Sequence, residues 1–379
     1  MITTALLVAL LAAAPEAGPI KLGLVSPLTG GVAVMGQSLR NGALLACETI
    51  NARGGVLGRP LQLIEIDDEA SPAKGAQAAR DLVQRDGVVA IVGPFNTGVA
   101  NAMAPLANQL RVPNVVAAAT GSKVNELFGE AKPNFVFRLA ASDAIQSHMM
   151  VTEAFAARHR TKVALLTDDS PYGLGGKARL EALLEARGAR AVFTGAFKVG
   201  DTDMTAQVSA AKAAGAEVLF LYGLSAEDAA VARAAEKLGW KPEIIGSWQL
   251  AGPAFLAAAG PAGNGAVMPL TFIEAGVSEP VQLAFVQAYR KRFAVASLGL
   301  APAAAQGYDA VHLLAQAMAQ ARSADPLKIQ AALEDLQATY AGVTGEYFAP
   351  WSSDDHEAVT PANVRWGKVQ DGVVVPDVR

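Results

Sequence analysis

The sequence is poor in the features that mark several large classes of protein. It has a single cysteine, Cys47, in 379 residues, so no disulfide can form within the chain. Cys47 lies too far from the amino terminus to carry a lipoprotein's lipid anchor, and its place on the apolar side of a predicted helix predicts buried packing. Lysine and arginine form no cluster and the net charge is −4, so we expect no nucleic-acid partner.

Motifs for metals, cofactors and nucleophilic catalysis are missing as well. The four histidines are scattered, with no pair at metal-ligand spacing. No G-x-G-x-x-G follows the first predicted strand, and the glycine-rich residues 173–176 lack the Lys-Ser/Thr of a phosphate-binding loop. Residues 223–226 lack the last glycine of a nucleophile elbow. We therefore expect no enzyme, no cofactor and no metal site.

One acidic cluster, Asp67-Asp68-Glu69, follows a predicted strand. Carboxylates at a strand end make a metal site conceivable. The interpretation we favour is a solvated loop, or a contact with the loop that follows the first strand.

A short apolar segment opens the chain. Residues 2–14 are almost wholly apolar, and prolines and a glycine then break the pattern. A membrane span needs about 20 apolar residues, so a run this short is typical of a secretory signal peptide. We expect residues 1–17 to be that signal, cleaved after Ala14 or Ala17, although no Lys or Arg precedes Lys21. A buried N-terminal helix is the alternative.

The rest of the chain has the composition of a well-packed α/β protein. It is 52% hydrophobic and 17% charged, so it can bury a large core. No later apolar run is long enough to span a membrane, so we expect a soluble, exported protein of the periplasm. The length suits about two or three domains.

Short apolar runs alternate with helical patterns, an order that predicts parallel sheets covered on both faces. The pattern restarts after residue 137, which indicates two similar lobes, and the tail is expected to return to both lobes and form a hinge. The predicted strands are 20–25, 61–66, 88–92, 112–116, 135–137, 162–166, 190–193, 217–221, 243–245, 345–348 and 364–369. The predicted helices are 36–51, one starting at Ser71-Pro72, 98–110, 144–157, 173–186, 204–214, 226–238, 281–293, 303–320 and 326–336.

Two loops at the ends of predicted strands look suited to a carboxylate. One strand runs on through Phe95 and Asn96 to Thr97, and the next runs on through Ala118 to Thr120. Each order puts free backbone N–H groups and a hydroxyl at the carboxyl end of a buried strand, where an anion binds well. The pattern alone leaves two plainer roles open, a helix N-cap for the first threonine and a turn residue for the second.

Five motifs, spread over residues 20–173, are similar to those of one family. They are Ile-Lys-Leu-Gly-Leu-Val-Ser-Pro-Leu-Thr-Gly at 20–30, Ile-Asn-Ala-Arg-Gly-Gly-Val-Leu-Gly-Arg-Pro at 50–60, Asp67-Asp68 with Pro72, Ala-Ile-Val-Gly-Pro at 90–94, and Asp-Asp-Ser-Pro-Tyr-Gly at 168–173. In this order they resemble the leucine/isoleucine/valine-binding proteins, which are type I periplasmic binding proteins of ABC transporters. The resemblance extends over residues 20–372.

The resemblance implies an α/β fold of two flavodoxin-like parallel-sheet lobes joined by three hinge crossovers. It places lobe 1 at residues 20–139 and 271–346, and lobe 2 at 140–270 and 347–379. It also implies a monomer without a cofactor, which closes on a small-molecule carboxylate and delivers it to the membrane subunits of an ABC permease.

The resemblance further implies a set of ligand contacts. Thr97, Thr120 and the backbone around Ala118 match the positions that hold the ligand carboxylate, and Tyr172 matches a lobe 2 tyrosine that bonds or stacks. Where amino-acid binders have an acidic residue for the ligand ammonium, this chain has Trp248.

Apolar residues replace other polar or aromatic contacts of the family. Leu224 and Met35 stand at two aromatic positions, and Phe95 and Phe272 can add further apolar surface. A buried ammonium without a counter-charge costs several kcal/mol. We therefore expect an apolar or aromatic acid that lacks a free ammonium.

Three alternatives stay open at this point. Asp168, Asp169 or Glu227 can supply the missing acid; Trp248 is then a core residue, and the protein binds branched-chain amino acids. A stand-alone ligand sensor, similar to amide-binding regulators, is the second alternative, although such a sensor lacks an export signal. An enzyme of doubly wound fold is the third, since fold alone decides no function.

If residues 1–17 are a signal peptide, the mature protein begins between Pro15 and Ile20. N-terminal sequencing of protein from the cell envelope checks this expectation. An intact Met1 on cytoplasmic protein would contradict export, and the importer role with it.

Overall fold

The computed structural model describes residues 18–126 and 132–378. The predicted signal peptide, residues 1–17, lies outside these residues. The strands are β1 Ile20–Ser26, β2 Leu61–Asp67, β3 Ala90–Val92, β4 Asn114–Val116, β5 Val136–Arg138, β6 Val163–Asp168, β7 Phe193–Phe197, β8 Val218–Tyr222, β9 Glu243–Gly246, β10 Val267–Leu270, β11 Tyr340–Ala341, β12 Glu346–Tyr347, β13 Arg365–Gln370 and β14 Val373–Pro376. The helices are α1 Ala33–Asn51, α2 Pro72–Gln84, α3 Thr97–Leu110, α4 Lys123–Glu126, α5 Asp143–Thr152, α6 Pro171–Glu185, α7 Thr205–Ala213, α8 Ser225–Lys237, α9 Pro253–Ala259, α10 Pro280–Phe293, α11 Ala301–Ala321 and α12 Pro326–Leu333.

Two separate sheets organise the molecule. The first is parallel, with strand order β2-β1-β3-β4-β5. The second has the order β14-β13-β10-β9-β8-β6-β7, parallel from β10 to β7 and antiparallel at β13 and β14. Every residue of β6 and β8 is buried, as expected of parallel strands covered on both faces. We call each sheet, with the helices packed on it, the first and the second lobe.

Most predicted elements are confirmed within a few residues, and the errors have a local cause. The strand predicted at 190–193 lies at Phe193–Phe197, where Gly195 interrupts the β-branched and aromatic signal. The strand Val267–Leu270 was not predicted, because Pro269 argues against a central strand. It pairs with β13 on one side and with β9 on the other.

The chain passes between the lobes after β5, after β10 and before β13. Residues 351–358 lie against β5: the Trp351 indole N–H donates to the Arg138 carbonyl at 3.0 Å, and the Arg138 N–H donates to the His356 carbonyl at 2.8 Å. This segment therefore lies with the first sheet, later in the chain than the boundary expected at residue 347. The exact lobe limits stay a prediction.

Small residues let two helices of the first lobe approach closely. Helix α11 returns from the tail to pack along α1. A Cβ atom at Gly42 would lie 1.9 Å from the carbonyl oxygen of Ala304. Cys47 is buried in the same helix, as predicted, and burial raises the pKa of its thiol to about 12.

We expect Gly42→Ala to lower the free energy of unfolding by roughly 1–3 kcal/mol, because overpacking against a backbone carbonyl outweighs the better helix propensity of alanine. Gly31→Ala is the matched control, since an added Cβ there meets nothing within 4 Å. Chemical denaturation of both variants measures the difference. Equal stability of the two variants would contradict the close packing of α1 and α11.

Candidate functional site

A cavity of about 180 Å³ lies between the two lobes. Eight of the nine residues predicted to bind ligand line it; Met35 does not. The lining from the first lobe is Ala70, Pro72, Phe95, Asn96, Thr97, Gly98, Ala118 and Thr120. The lining from the second lobe is Ser170, Pro171, Tyr172, Val199, Leu224, Trp248 and Gln249.

Helix α3 begins at the cavity with free donors. Its N-cap residue, Asn96, makes no side-chain capping bond, and the first helical bond runs from the Ala100 N–H to the Asn96 carbonyl. The earlier N–H groups therefore have no partner within the helix. The Thr97 hydroxyl accepts from the Gly121 N–H at 3.2 Å, which leaves its own hydrogen to donate. This end of the cavity is built from donors.

Thr120 lines the cavity in a loop whose backbone is held by hydrogen bonds. Its carbonyl oxygen accepts from the Arg138 guanidinium at 3.1 Å and from the Asp143 N–H at 2.8 Å. Its hydroxyl lies beside the carboxyl of Asp143. Burial raises the pKa of that carboxyl, and hydrogen bonds from Thr120 and Tyr222 partly offset the rise. The loop is thus fixed by the first-lobe strand and by the start of α5.

Helix α6 also begins at the cavity, but its start is already occupied. The Ser170 hydroxyl accepts from the Tyr172 and Gly173 N–H groups at 3.2 and 3.4 Å. The Asp168 Oδ1 atom accepts from the Ser170 and Gly173 N–H groups at 2.9 and 3.2 Å. The start of α3 therefore has open donors, whereas the donors at the start of α6 are already bonded to Asp168 and Ser170.

The three acids considered as a replacement ammonium contact each hold a loop instead. Asp168 caps α6, Asp169 accepts from the Val199 N–H at 3.2 Å, and Glu227 accepts from the Gly200 N–H at 2.7 Å. None of them lines the cavity.

The rest of the cavity wall is apolar or aromatic. Phe95 of the first lobe stacks on Trp248 of the second lobe, with ring centroids 5.6 Å apart and an interplanar angle of 28°. Tyr172 donates from its hydroxyl to the Ser247 hydroxyl at 2.6 Å. Met35 is buried just outside the lining, with its Sδ atom 3.6 Å from the Ser225 hydroxyl.

The expectation for Phe272 is wrong. Its ring packs on Phe285 with centroids 6.1 Å apart, in a separate apolar cluster, because the chain has by then returned to the first lobe.

Several residues at the site were missed. Gln146, fully buried in the first turn of α5, accepts from the Trp248 N–H at 3.0 Å and donates to the Ala141 carbonyl at 2.9 Å. It fixes the Trp248 backbone against the first crossover, and no local pattern announces it. The lining residues Pro72 and Pro171 carried a usable signal. Each follows a serine N-cap within four residues of the end of a strand and marks a helix start at the cleft.

The acidic cluster after β2 is a contact to the first loop, as favoured. Asp67 accepts from the Leu28 N–H at 2.8 Å and from the Thr29 hydroxyl at 2.5 Å. Asp68 is fully buried and accepts from the N–H of Ala70, a cavity residue, at 2.7 Å. No group of metal-ligating side chains of the kind that holds an ion occurs within residues 18–126 and 132–378.

The chain belongs to the periplasmic binding protein family, whose model matches residues 19–372. It is 32% identical over 241 residues to Leu/Ile/Val-binding protein homolog 3 of Brucella melitensis, an alignment that spans 64% of each chain. It is 30% identical to the leucine-, isoleucine-, valine-, threonine- and alanine-binding protein of Pseudomonas aeruginosa, over 84% of this chain and 82% of that one.

Solved structures show the same architecture. A solute-binding protein of an ABC transporter from Rhodopseudomonas palustris, in complex with 3,4-dihydroxy benzoic acid, superposes with a TM-score of 0.77 at 25% identity, covering 94% of this chain and 95% of that one. The predicted two-lobed type I fold is confirmed. Across the described ranges, no helix is both long and apolar enough to cross a membrane.

The acidic cluster Asp67-Asp68-Glu69 predicts an unusual pH dependence of the protein's stability. Burial raises the pKa of Asp68 to about 7, against about 3.9 in an unfolded chain. The folded protein therefore holds a proton that the unfolded chain has lost, and stability falls as the pH rises from about 4 to 7. An asparagine at this position does not titrate, so Asp68→Asn does not lose stability in this way. As the pH rises from 4 to 8, the free energy of unfolding of this variant should therefore increase by roughly 1–4 kcal/mol relative to that of the wild type.

Asp67→Asn is the opposite-sign control. Burial acts to raise the pKa of Asp67, but its hydrogen bonds outweigh burial and leave that pKa lowered. This variant should lose stability relative to wild type as the pH rises. Denaturation at several pH values distinguishes the two, and parallel profiles for both variants would refute the assignment.

Proposed function

We propose that this protein is the exported solute-binding receptor of an ABC importer, and that it binds a carboxylic acid with an apolar or aromatic body and no free ammonium. The observation that carries the proposal is the division of the cavity. Open N–H groups and the Thr97 hydroxyl lie at one end, and Phe95, Trp248, Leu224 and Tyr172 surround the remainder.

The charges of the site favour an anion. Within the described residues, no lysine, arginine, aspartate or glutamate side chain lines the cavity. The open start of α3 supplies partial positive charge, which suits a carboxylate. Nothing in the lining offsets the charge of an ammonium, whose burial without a partner costs several kcal/mol.

The size of the site suits a ligand body of about one ring or an aliphatic group of similar volume. An apolar cavity of roughly 150 Å³ is enough to hold benzene, and this cavity has about 180 Å³. A benzoate-like acid, a phenylalkanoate or a branched keto acid fits these dimensions.

The similar proteins support both parts of the proposal. The curated relatives are named for leucine, isoleucine and valine, and one of them also for threonine and alanine, which makes those amino acids the competing ligands. The Rhodopseudomonas palustris structure was solved with an aromatic acid, which supports the favoured class. Because ligand-lining residues come from both lobes, closure and binding are coupled, and the closed form is what a permease would receive.

A thermal-shift screen tests the ligand class, because a ligand that binds only the folded state raises the melting temperature. Benzoate-type acids, phenylalkanoates and branched keto acids should stabilise the protein at micromolar levels. Leucine, isoleucine, valine and phenylalanine should not. Stabilisation by leucine or valine, with none by the acids, would overturn the proposal and make Asp168, Asp169 and Glu227 the residues to mutate.

Variants of Thr97 test whether its hydroxyl binds the carboxylate of the acid found in that screen. Removing a hydrogen bond to a charged group costs roughly 1.5–3 kcal/mol, so Thr97→Val should weaken binding of the stabilising acid about tenfold or more. Thr97→Ser keeps the hydroxyl and should bind much more tightly than the valine variant. Equal affinities of the two variants by calorimetry would show that the hydroxyl makes no contact.

A further inference from the structure

Gln249 is a buried polar residue of the cavity, and among residues 18–126 and 132–378 its side chain hydrogen-bonds to one neighbour, Ser225. Only 2% of it is exposed. The Ser225 hydroxyl oxygen lies 2.7 Å from the backbone carbonyl oxygen of Gln249 and 2.9 Å from the oxygen placed at the end of its carboxamide. Ser225 itself is fully buried at the start of α8.

Ser225 has more acceptors around its hydroxyl than one hydrogen can serve. The two Gln249 oxygens and the Met35 Sδ atom at 3.6 Å all require its hydrogen, and a serine hydroxyl has one. Gly252 packs against the hydroxyl on one side, where an added Cβ atom would lie 2.0 Å from its oxygen. If the hydroxyl donates to the closer backbone carbonyl, the Ser225 hydroxyl oxygen and the carboxamide oxygen lie 2.9 Å apart with no hydrogen between them.

Turning the carboxamide over removes the conflict. The oxygen and nitrogen of an amide have nearly the same shape and are assigned from their hydrogen bonds. With Nε2 at the position near Ser225, the amide donates to the hydroxyl oxygen, and the hydroxyl donates to the closer backbone carbonyl. Both contacts between Ser225 and Gln249 then have one donor and one acceptor, and Oε1 takes the other side of the amide. The longer contact with the weak acceptor Met35 Sδ is then packing only.

We infer that Gln249 presents Oε1 to the cavity as a hydrogen-bond acceptor, and that the natural ligand is a hydroxylated acid whose hydroxyl donates to it. This inference rests on the proposed function and narrows its ligand class. The carboxylate lies at the start of α3 in the first lobe, and Gln249 belongs to the second lobe, so the hydroxyl stands on the part of the ligand that faces away from the carboxylate. A neutral amide can satisfy a hydroxyl but cannot offset an ammonium.

Calorimetry with a matched series tests the inference on the wild-type protein. The series is benzoate, 3- and 4-hydroxybenzoate, and 3- and 4-methoxybenzoate; the methoxy group accepts hydrogen bonds but cannot donate one. At least one hydroxybenzoate should bind about 10- to 100-fold more tightly than benzoate, because a buried acceptor left unpaired weakens binding. The matching methoxybenzoate should bind no more tightly than benzoate.

Two variants assign the preference to Gln249. Gln249→Met has a similar length and no acceptor of comparable strength, so the ratio of hydroxybenzoate to benzoate affinity should fall close to one. Ser225→Ala removes the hydrogen bond that fixes the carboxamide, so either Oε1 or Nε2 can face the cavity. The affinity for the methoxybenzoate should then rise relative to that for benzoate. Melting temperatures of both variants without ligand show whether they are folded, and the wild-type series stands without them.

The possible outcomes distinguish the hydroxyl preference from the proposed ligand class. Tight binding of benzoate with no gain from a hydroxyl, or a larger gain from methoxy than from hydroxyl, overturns the inference and leaves the proposed function intact. A hydroxyl preference that survives Gln249→Met overturns the role of Gln249. Failure of every benzoate, together with binding of leucine, overturns the proposed function and the inference with it.

Discussion

The buried guanidinium of Arg138 is the interaction on which the geometry of the site depends. Only 2% of this residue is exposed, so its donors must find partners inside the protein. They bond to the carboxylate of Glu357 and to the carbonyls of Thr120 and Gly121. One side chain thus ties β5, the last strand of the first sheet, to the Thr120–Gly121 loop at the cavity and to the segment that leads into the third crossover.

The effects of that constraint reach the donor-rich end of the cavity, at the start of α3. Because Arg138 holds the Gly121 carbonyl, the Gly121 N–H is held where it donates to the Thr97 hydroxyl. Gln146 has a similar role in the second lobe. It hydrogen-bonds to the backbone of the cavity residue Trp248 and to the first crossover, as Arg138 bonds to the backbone of Thr120. Both walls of the cavity are therefore hydrogen-bonded to the crossover segments that join the lobes.

The sequence predicted those parts of the structure that local patterns encode. Alternating apolar runs predicted both parallel sheets, and the residues after β3 and β4 predicted the open donors of the site. The bonds that hold the site in place were not predictable in this way. Arg138 and Glu357 are 219 residues apart, and Gln146 and Trp248 are 102 apart, so neither pair leaves a mark on periodicity or turn propensity. Gln249 was missed for the same reason, because its role depends on the buried Ser225 beside it.

The uncharged lining of the cavity has a consequence for the charge of the whole complex. A zwitterionic amino acid adds no net charge when it binds. A monocarboxylate that enters as the anion adds one full negative charge, and no cationic side chain of the described cavity wall cancels it. With the proposed monocarboxylate bound, the receptor would be one unit more negative than the empty protein, so its electrophoretic mobility would report occupancy, and a permease would meet a partner of altered charge.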